Sequence, residues 1–109
     1  MAYILQVDFR MQGPFGEEIA QAFSGLAESI NKEEGFLWKI WTENQETSEA
    51  GGIYCFQTKE NAANYLEMHT KRLVNLGVKG INAKIFSINS KLTKITKGLN
   101  SSNLFGRQK

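Results

Sequence analysis

The stretch Phe36-Leu37-Trp38-Lys39-Ile40-Trp41-Thr42-Glu43 is the strongest strand signal in the chain, because it is rich in aromatic residues. Side chains alternate between the two faces of a strand. Strict alternation therefore predicts two groups, with Phe36, Trp38 and Ile40 on one face and Leu37, Lys39 and Trp41 on the other. Since both faces carry large apolar groups, the sequence predicts a strand that is covered on both sides.

Outward from this strand, the remaining segments give the order βαββαβ. Period-2 alternation predicts strands over residues 2–9 and 81–88, and an apolar run after two glycines predicts a third over 51–56. Apolar residues spaced three and four apart predict a helix from Glu17 to about residue 31, and a second one that Thr58 caps and Gly77 ends. This order predicts a ferredoxin-like α+β fold, a four-stranded antiparallel sheet with two helices on one face.

The apolar residues on the sheet face opposite the helices lead us to expect an oligomer. The second strand, and Ile85, Phe86 and Ile88 of the fourth, carry apolar groups on both faces. Helices cover only one face, and an exposed patch of several hundred Å² is larger than monomers usually tolerate. We therefore predict a homodimer in which two copies pack sheet against sheet about a two-fold axis.

Composition excludes several classes of protein. The chain has 109 residues, with one histidine and one cysteine, too few for a His/Cys zinc site. No nucleotide-binding motif or apolar run of membrane-spanning length occurs, so we predict neither a cofactor nor a membrane segment. The single cysteine and the absence of an export signal make the cytoplasm the expected compartment.

The C-terminal residues differ from the rest in charge. Residues 91–109 carry five lysines and arginines and no acidic residue, whereas residues 1–90 carry all 11 acids. We predict one domain over residues 1–90 and a solvated, flexible basic tail over 91–109. Five dispersed cations form a weak electrostatic footprint, which argues against nucleic-acid binding.

Several blocks of sequence resemble the YdhR family of mono-oxygenases. They are Gly13-Pro14-Phe15-Gly16, Leu26–Asn31, Gly35–Lys39, Trp41-Thr42-Glu43, Glu49–Tyr54, and the helix segment from Tyr65 to Val78. The resemblance spans roughly residues 1–90. It implies a dimeric α/β barrel, the fold of antibiotic-biosynthesis mono-oxygenases that use no cofactor and of haem-degrading relatives. The resemblance does not assign catalytic roles to individual residues of this chain.

His69 is the candidate for proton transfer. A cofactor-free mono-oxygenase must exclude water, orient an aromatic ring and manage a proton. His69 is the only histidine, it lies on the apolar stripe of the second predicted helix, and its ordinary pKa is about 6.5. The alternative is a core histidine whose ring is satisfied by a backbone carbonyl.

Four further residues are candidates for substrate binding. Trp38 is favoured over Trp41 for the pocket because it shares a predicted face with Phe36 and Ile40. Tyr54 could donate a hydrogen bond to a phenolic or quinone oxygen, and Arg72 could attract an anionic group. Gln6 could face a polar part of a cavity. The alternatives are core packing for Trp38, a solvent-facing hydroxyl for Tyr54, a helix-surface cation for Arg72 and a wet strand end for Gln6.

These observations predict a cofactor-independent mono-oxygenase that oxidises a small aromatic or polycyclic compound with O₂. The alternative is a non-catalytic dimer that binds small aromatic ligands or haem.

Overall fold

A computed structural model describes residues 2–98. Its elements are β1 (Tyr3–Arg10), α1 (Glu17–Ala22), α2 (Ser24–Ile30), β2 (Phe36–Asn44), β3 (Glu49–Phe56), α3 (Lys59–Asn75), β4 (Lys79–Ser87) and α4 (Ser90–Ile95). None of the helices in this part of the chain has the length and apolar character needed to span a membrane.

The four strands form one sheet in the order β2-β3-β1-β4, and all neighbours are antiparallel. The central strand β1 pairs with both β3 and β4, so that Val7 lies opposite Gly52 on one side and Ala83 on the other. α3 packs on β1, β3 and β4. The ferredoxin-like fold predicted from the sequence is confirmed.

The predicted first helix is wrong in one respect, because it is two short helices, α1 and α2, that meet at Phe23. The Ser24 hydroxyl donates back to the Gln21 carbonyl at 3.4 Å, and Gly25 follows. A Ser-Gly pair is a common cause of helix kinks. The ring of Phe23 lies 6.3 Å from that of Trp41, centroid to centroid.

α3 begins and ends as predicted. The Thr58 hydroxyl accepts a hydrogen bond from the Asn61 backbone N–H at 3.0 Å, which satisfies one free amide of the first turn. Gly77 has φ +85°, and the Val78 N–H donates to the Leu73 carbonyl across the helix end. A left-handed glycine just past the last turn is a common way to end a helix.

The helix-covered face of the sheet holds the main core. Its fully buried residues come from β1, β3, α2 and α3, and include Leu5, Val7, Ile30, Tyr54, Phe56, Ala62 and Tyr65. The rings of Tyr54 and Tyr65 lie 5.1 Å apart, and those of Phe56 and Tyr65 lie 5.4 Å apart. These tilted ring pairs fill one part of the space under α3.

A β-bulge in β2 decides which side chains reach this core. Phe36 pairs with Phe56, but Trp38 already pairs with Cys55, so Leu37 is an extra residue. Such a residue shifts all later side chains of the strand to the opposite face. Trp38 therefore packs with Leu37 and Cys55 on the open face of the sheet, the face away from α3.

The predicted boundary at residue 90 does not coincide with the end of regular structure. Asn89 caps α4 through its side-chain oxygen, which accepts from the Leu92 N–H at 3.0 Å. Residues 99–109, which make up most of the predicted basic tail, lie outside the described residues.

Candidate functional site

A cavity of about 780 Å³ lies between the sheet and the helices. Strand residues from β1, β2 and β3 form its floor, and α1, α2 and α3 form its walls. The lining is mainly apolar, and includes Phe9, Ile19, Phe23, Leu26, Trp41 and Leu73. The cavity has the size and apolar character of small-molecule sites.

A chain of polar side chains lies along one wall. Arg72 Nη2 is 3.1 Å from His69 Nδ1, and His69 Nε2 is 3.3 Å from the Tyr54 hydroxyl oxygen. A guanidinium can only donate, so His69 Nδ1 accepts. A neutral His69 then carries its proton on Nε2 and donates it to Tyr54. Arg72 Nη2 also donates to the Tyr65 hydroxyl at 3.3 Å.

The surroundings of His69 keep its ring neutral. The side chain is only 4% exposed. Burial, together with the positive charges of Arg72 and Lys39, lowers the pKa of His69 from 6.5 to about 4. The ring is thus an uncharged link that accepts from Arg72 and donates to Tyr54, and it does not gain a proton readily near neutral pH.

Tyr54 remains protonated at neutral pH. Its side chain is buried at 1% exposure, and burial is the main cause that raises the pKa of its hydroxyl above the ordinary value of 10. Tyr54 lines the cavity, and its hydroxyl lies against the buried side chains of His69 and Tyr65.

Lys39 lies on the floor of the same cavity. Its Nζ is 3.3 Å from the centroid of the Trp41 ring and 4.4 Å from that of Tyr54, which places an amine over two aromatic faces. Burial is the main cause that lowers the pKa of Lys39 from 10.5 to about 7, and the charge of Arg72 adds to it.

The structure places three of the five predicted site residues on the cavity: His69, Tyr54 and Arg72. The preference for Trp38 over Trp41 as the pocket tryptophan is wrong, because the bulge at Leu37 turns Trp38 to the open face and Trp41 to the cavity. Gln6 is also outside the cavity. It is exposed and pairs with Ile53 and Lys84 on the open face.

Comparison with known proteins agrees with this fold. The family profile described as "Putative mono-oxygenase ydhR" matches residues 4–99. The chain belongs to the YdhR family. No curated protein matches the chain.

A solved structure from Deinococcus radiodurans shares the YdhR-family fold seen here. It is described as a putative antibiotic biosynthesis monooxygenase. The two are 12% identical with a TM-score of 0.55, and the alignment covers 82% of this chain and 93% of the other. At this identity the likeness concerns the fold, and the site must be argued from the residues of this YdhR-family chain.

Sequence reasoning missed Lys39 as a site residue of this YdhR-family chain, and it ranked Trp41 below Trp38. One signal is present in the sequence, because glycines within a strand such as Gly51-Gly52 often mark a close approach of another group to the backbone. The structure shows what approaches: a Cβ on Gly52 would lie 2.5 Å from Lys39 Cε. The lysine stem lies across this glycine, which is how its amine reaches the rings of Trp41 and Tyr54.

A second depression, of about 750 Å³, is more polar and lies near the turn between β2 and β3. It is lined by residues such as Arg10, Thr47, Glu49 and Lys79. None of the predicted site residues borders it. Within residues 2–98 no three His, Cys, Asp or Glu side chains cluster as metal ligands.

Proposed function

We propose that this chain is a cofactor-independent mono-oxygenase that oxidises a small phenol-like, hydroquinone-like or polycyclic compound with O₂. The observation that carries the proposal is the largely apolar cavity of about 780 Å³ with the Arg72–His69–Tyr54 hydrogen-bonded chain on its wall. Membership of a mono-oxygenase family supports the reaction class.

The chemistry fits such a site because the substrate can supply the electrons. A phenolate passes electrons to O₂, one oxygen atom bonds to a ring carbon, and the other leaves as water. Overall, a phenol and O₂ give a quinone and water. The protein must hold the ring, keep bulk water out and place polar hydrogens near the developing charge. The aromatic floor is suited to the first of these tasks, and the unused donor of Arg72 is suited to the last.

The test is oxygen uptake with a panel of hydroquinones and naphthols, followed by mass spectrometry of the product formed under ¹⁸O₂. We expect one labelled oxygen atom in the product. Ala27 lines the cavity, so Ala27→Phe should fill part of it and reduce turnover at least about tenfold by obstructing the substrate. Ala63, which is exposed on α3, gives the matched control Ala63→Phe, and this variant should retain activity.

The alternative predicted from the sequence is a non-catalytic binder of small aromatic ligands or haem. Compounds that raise the melting temperature of the wild type but not of Ala27→Phe, with no oxygen uptake, would favour the aromatic binder. For haem, both ring nitrogens of His69 already have hydrogen-bond partners within the chain. This arrangement leaves the imidazole without a free lone pair for iron.

We also propose the homodimer predicted from the sequence, formed through the open face of the sheet. On this face Ile40 of β2 is 54% exposed and Phe86 of β4 is 48% exposed, and the partly buried Trp38 packs on the same side. Covering such a patch is favourable at roughly 25 cal/mol per Å² of apolar area. A second copy placed sheet to sheet would cover both copies at once.

A further inference from the structure

Two basic side chains border the cavity without a carboxylate partner. Lys39 and Arg72 both line it, yet the one ion pair found within residues 2–98 joins Lys71 and Glu67 on the surface of α3. The only acidic residue on the lining is Glu43, whose carboxylate accepts from the Gly16 N–H at 3.1 and 3.2 Å. Charges in apolar surroundings are normally paired. The cavity therefore has an uncompensated positive charge that suits an oxyanion.

Arg72 retains an unused donor at this site. Its Nη2 donates to His69 and Tyr65, but its Nε is buried without an acceptor in the described part of the chain. A buried donor without a partner costs free energy, which an incoming acceptor can restore. Arg72 is thus held by its neighbours while its charge remains without a counter-ion.

The Lys39 amine is also without an acceptor. Within residues 2–98 it forms no hydrogen bond or ion pair, and its neighbours are the faces of Trp41 and Tyr54. A ligand ring that enters the cavity would therefore meet a free amine on the floor. An amine is a proton acceptor when neutral and a donor to an oxyanion when charged.

The ionisable groups around Lys39 do not compete with it for a proton near pH 7. Tyr54 from β3 has a raised pKa, and His69 from α3 has a pKa lowered to about 4. Arg72 from α3 has only donor nitrogens. Glu43, farther along β2, is held by Gly16. With a pKa of about 7, Lys39 is the group among these that can accept a proton at neutral pH.

We propose that Lys39 is the catalytic base of this site, and that its substrate is a compound with an acidic ring hydroxyl, a phenol or an enol, bound as its oxyanion beside Lys39 and Arg72. The O–H bond of the ligand breaks, its electron pair stays on oxygen, and the proton forms an N–H bond on Lys39 Nζ. This inference rests on the proposed function, because the oxyanion is the species that passes electrons to O₂.

A carboxylate ligand would suit the positive charge of the cavity, but it brings no proton for the Lys39 amine to accept. It arrives already ionised, so Lys39 must take a proton from the solvent when the ligand binds above pH 7. A neutral phenol brings its own proton, and binding at that pH takes up none. The aromatic lining and the unpartnered Lys39 amine therefore favour a ligand with a ring hydroxyl over a carboxylate ligand.

The experiment uses 4-nitrophenol as the probe in oxygen-free buffer, because its phenol and phenolate forms absorb at different wavelengths. We expect the wild type to lower the pKa of the bound probe by about one unit or more relative to the free probe. Lys39→Met should remove most of this shift and weaken binding about 10- to 100-fold, whereas Lys39→Arg should retain more of the shift because it keeps the charge. Lys71→Met, at an exposed lysine on α3, is the matched control and should behave as the wild type.

Three results would overturn the inference: the probe binds in its neutral form, Lys39→Met retains the full shift, or 4-nitrobenzoate binds more tightly than 4-nitrophenol with uptake of a proton. None of these measurements depends on O₂. A bound phenolate without oxygen uptake would contradict the proposed function alone, and oxygen uptake that persists in Lys39→Met would contradict this inference alone.

Discussion

The two faces of the sheet carry similar aromatic and aliphatic residues but differ in what covers them. On the helix-covered face, Tyr54 is 1% exposed and Phe56 is fully buried, yet the neighbouring space above Trp41 is hollow. On the open face, Ile40 and Phe86 are about half exposed and no element of the described chain covers them. Rings on the first face surround a space for a small molecule, whereas those on the second form an uncovered surface that suits another protein chain.

The two adjacent glycines of β3 provide the sharpest test of this difference, because they face opposite sides of the sheet. Gly51 pairs with Asp8 and Thr42, and a Cβ there would overlap the backbone carbonyl of Val7. Since backbone atoms cannot move aside cheaply, Gly51→Ala should destabilise the fold by about 3 kcal/mol or more. Urea denaturation measures this loss, and a cost below about 1 kcal/mol would show that the strands can separate locally.

The open face can be tested directly through the dimer that we propose. Phe86→Glu puts a charge in the exposed apolar patch and should weaken self-association about 100-fold, measured by light scattering over a range of concentrations. Val74, which is 58% exposed on α3, provides the matched control Val74→Glu, and this variant should associate as the wild type does. A wild type that is monomeric at micromolar concentration would contradict the dimer.

The sequence predicts the fold well because its signals are local. Alternation in β1, the Thr58 cap and the Gly77 end each depend on a few neighbouring residues, and each is observed. The ferredoxin-like order follows from these elements, and the profile match and the solved neighbour agree with it.

The site is less predictable because it depends on pairing between distant segments. The bulge at Leu37 appears only when β2 pairs with β3, and it exchanges the positions expected for Trp38 and Trp41. The lowered pKa of Lys39 arises from burial and from Arg72 on another element. His69 was correctly placed on an apolar helix stripe, but its hydrogen bonds could not be inferred from spacing alone.

The buried His69 on the helix-covered side of the sheet should make the stability of the fold depend on pH. Because the pKa of His69 is about 4 when folded and 6.5 when unfolded, the unfolded state binds more protons between these values. The contribution of His69 to the free energy of unfolding is therefore present above pH 6.5 and is lost as the pH falls toward 4. Between pH 7 and pH 5 we expect a loss of about 2 kcal/mol from this group.

The matched variant for this test is His69→Gln, which can still accept from Arg72 and donate to Tyr54 but does not titrate. Urea denaturation of both proteins at several pH values isolates the difference, since their carboxylates are the same. The free energy of unfolding of His69→Gln should vary less between pH 7 and pH 5. Parallel curves for the two proteins would show that His69 is not held neutral in the fold.

The smallest effect on stability is expected at Gly52, the glycine on the helix-covered face. A Cβ there would lie 2.5 Å from Lys39 Cε and 3.3 Å from both the Ile40 carbonyl oxygen and Tyr54 Cε1. Because the closest atom belongs to a flexible side chain, Gly52→Ala should cost only about 1 kcal/mol or less, which urea denaturation can measure. It should nevertheless displace Lys39 from the Trp41 ring and reduce the shift in the pKa of bound 4-nitrophenol. If Gly52→Ala retains the full shift in the pKa of the bound probe, Lys39 reaches the ligand without crossing this glycine. Gly51 and Gly52 would then differ only in what their substitution does to stability.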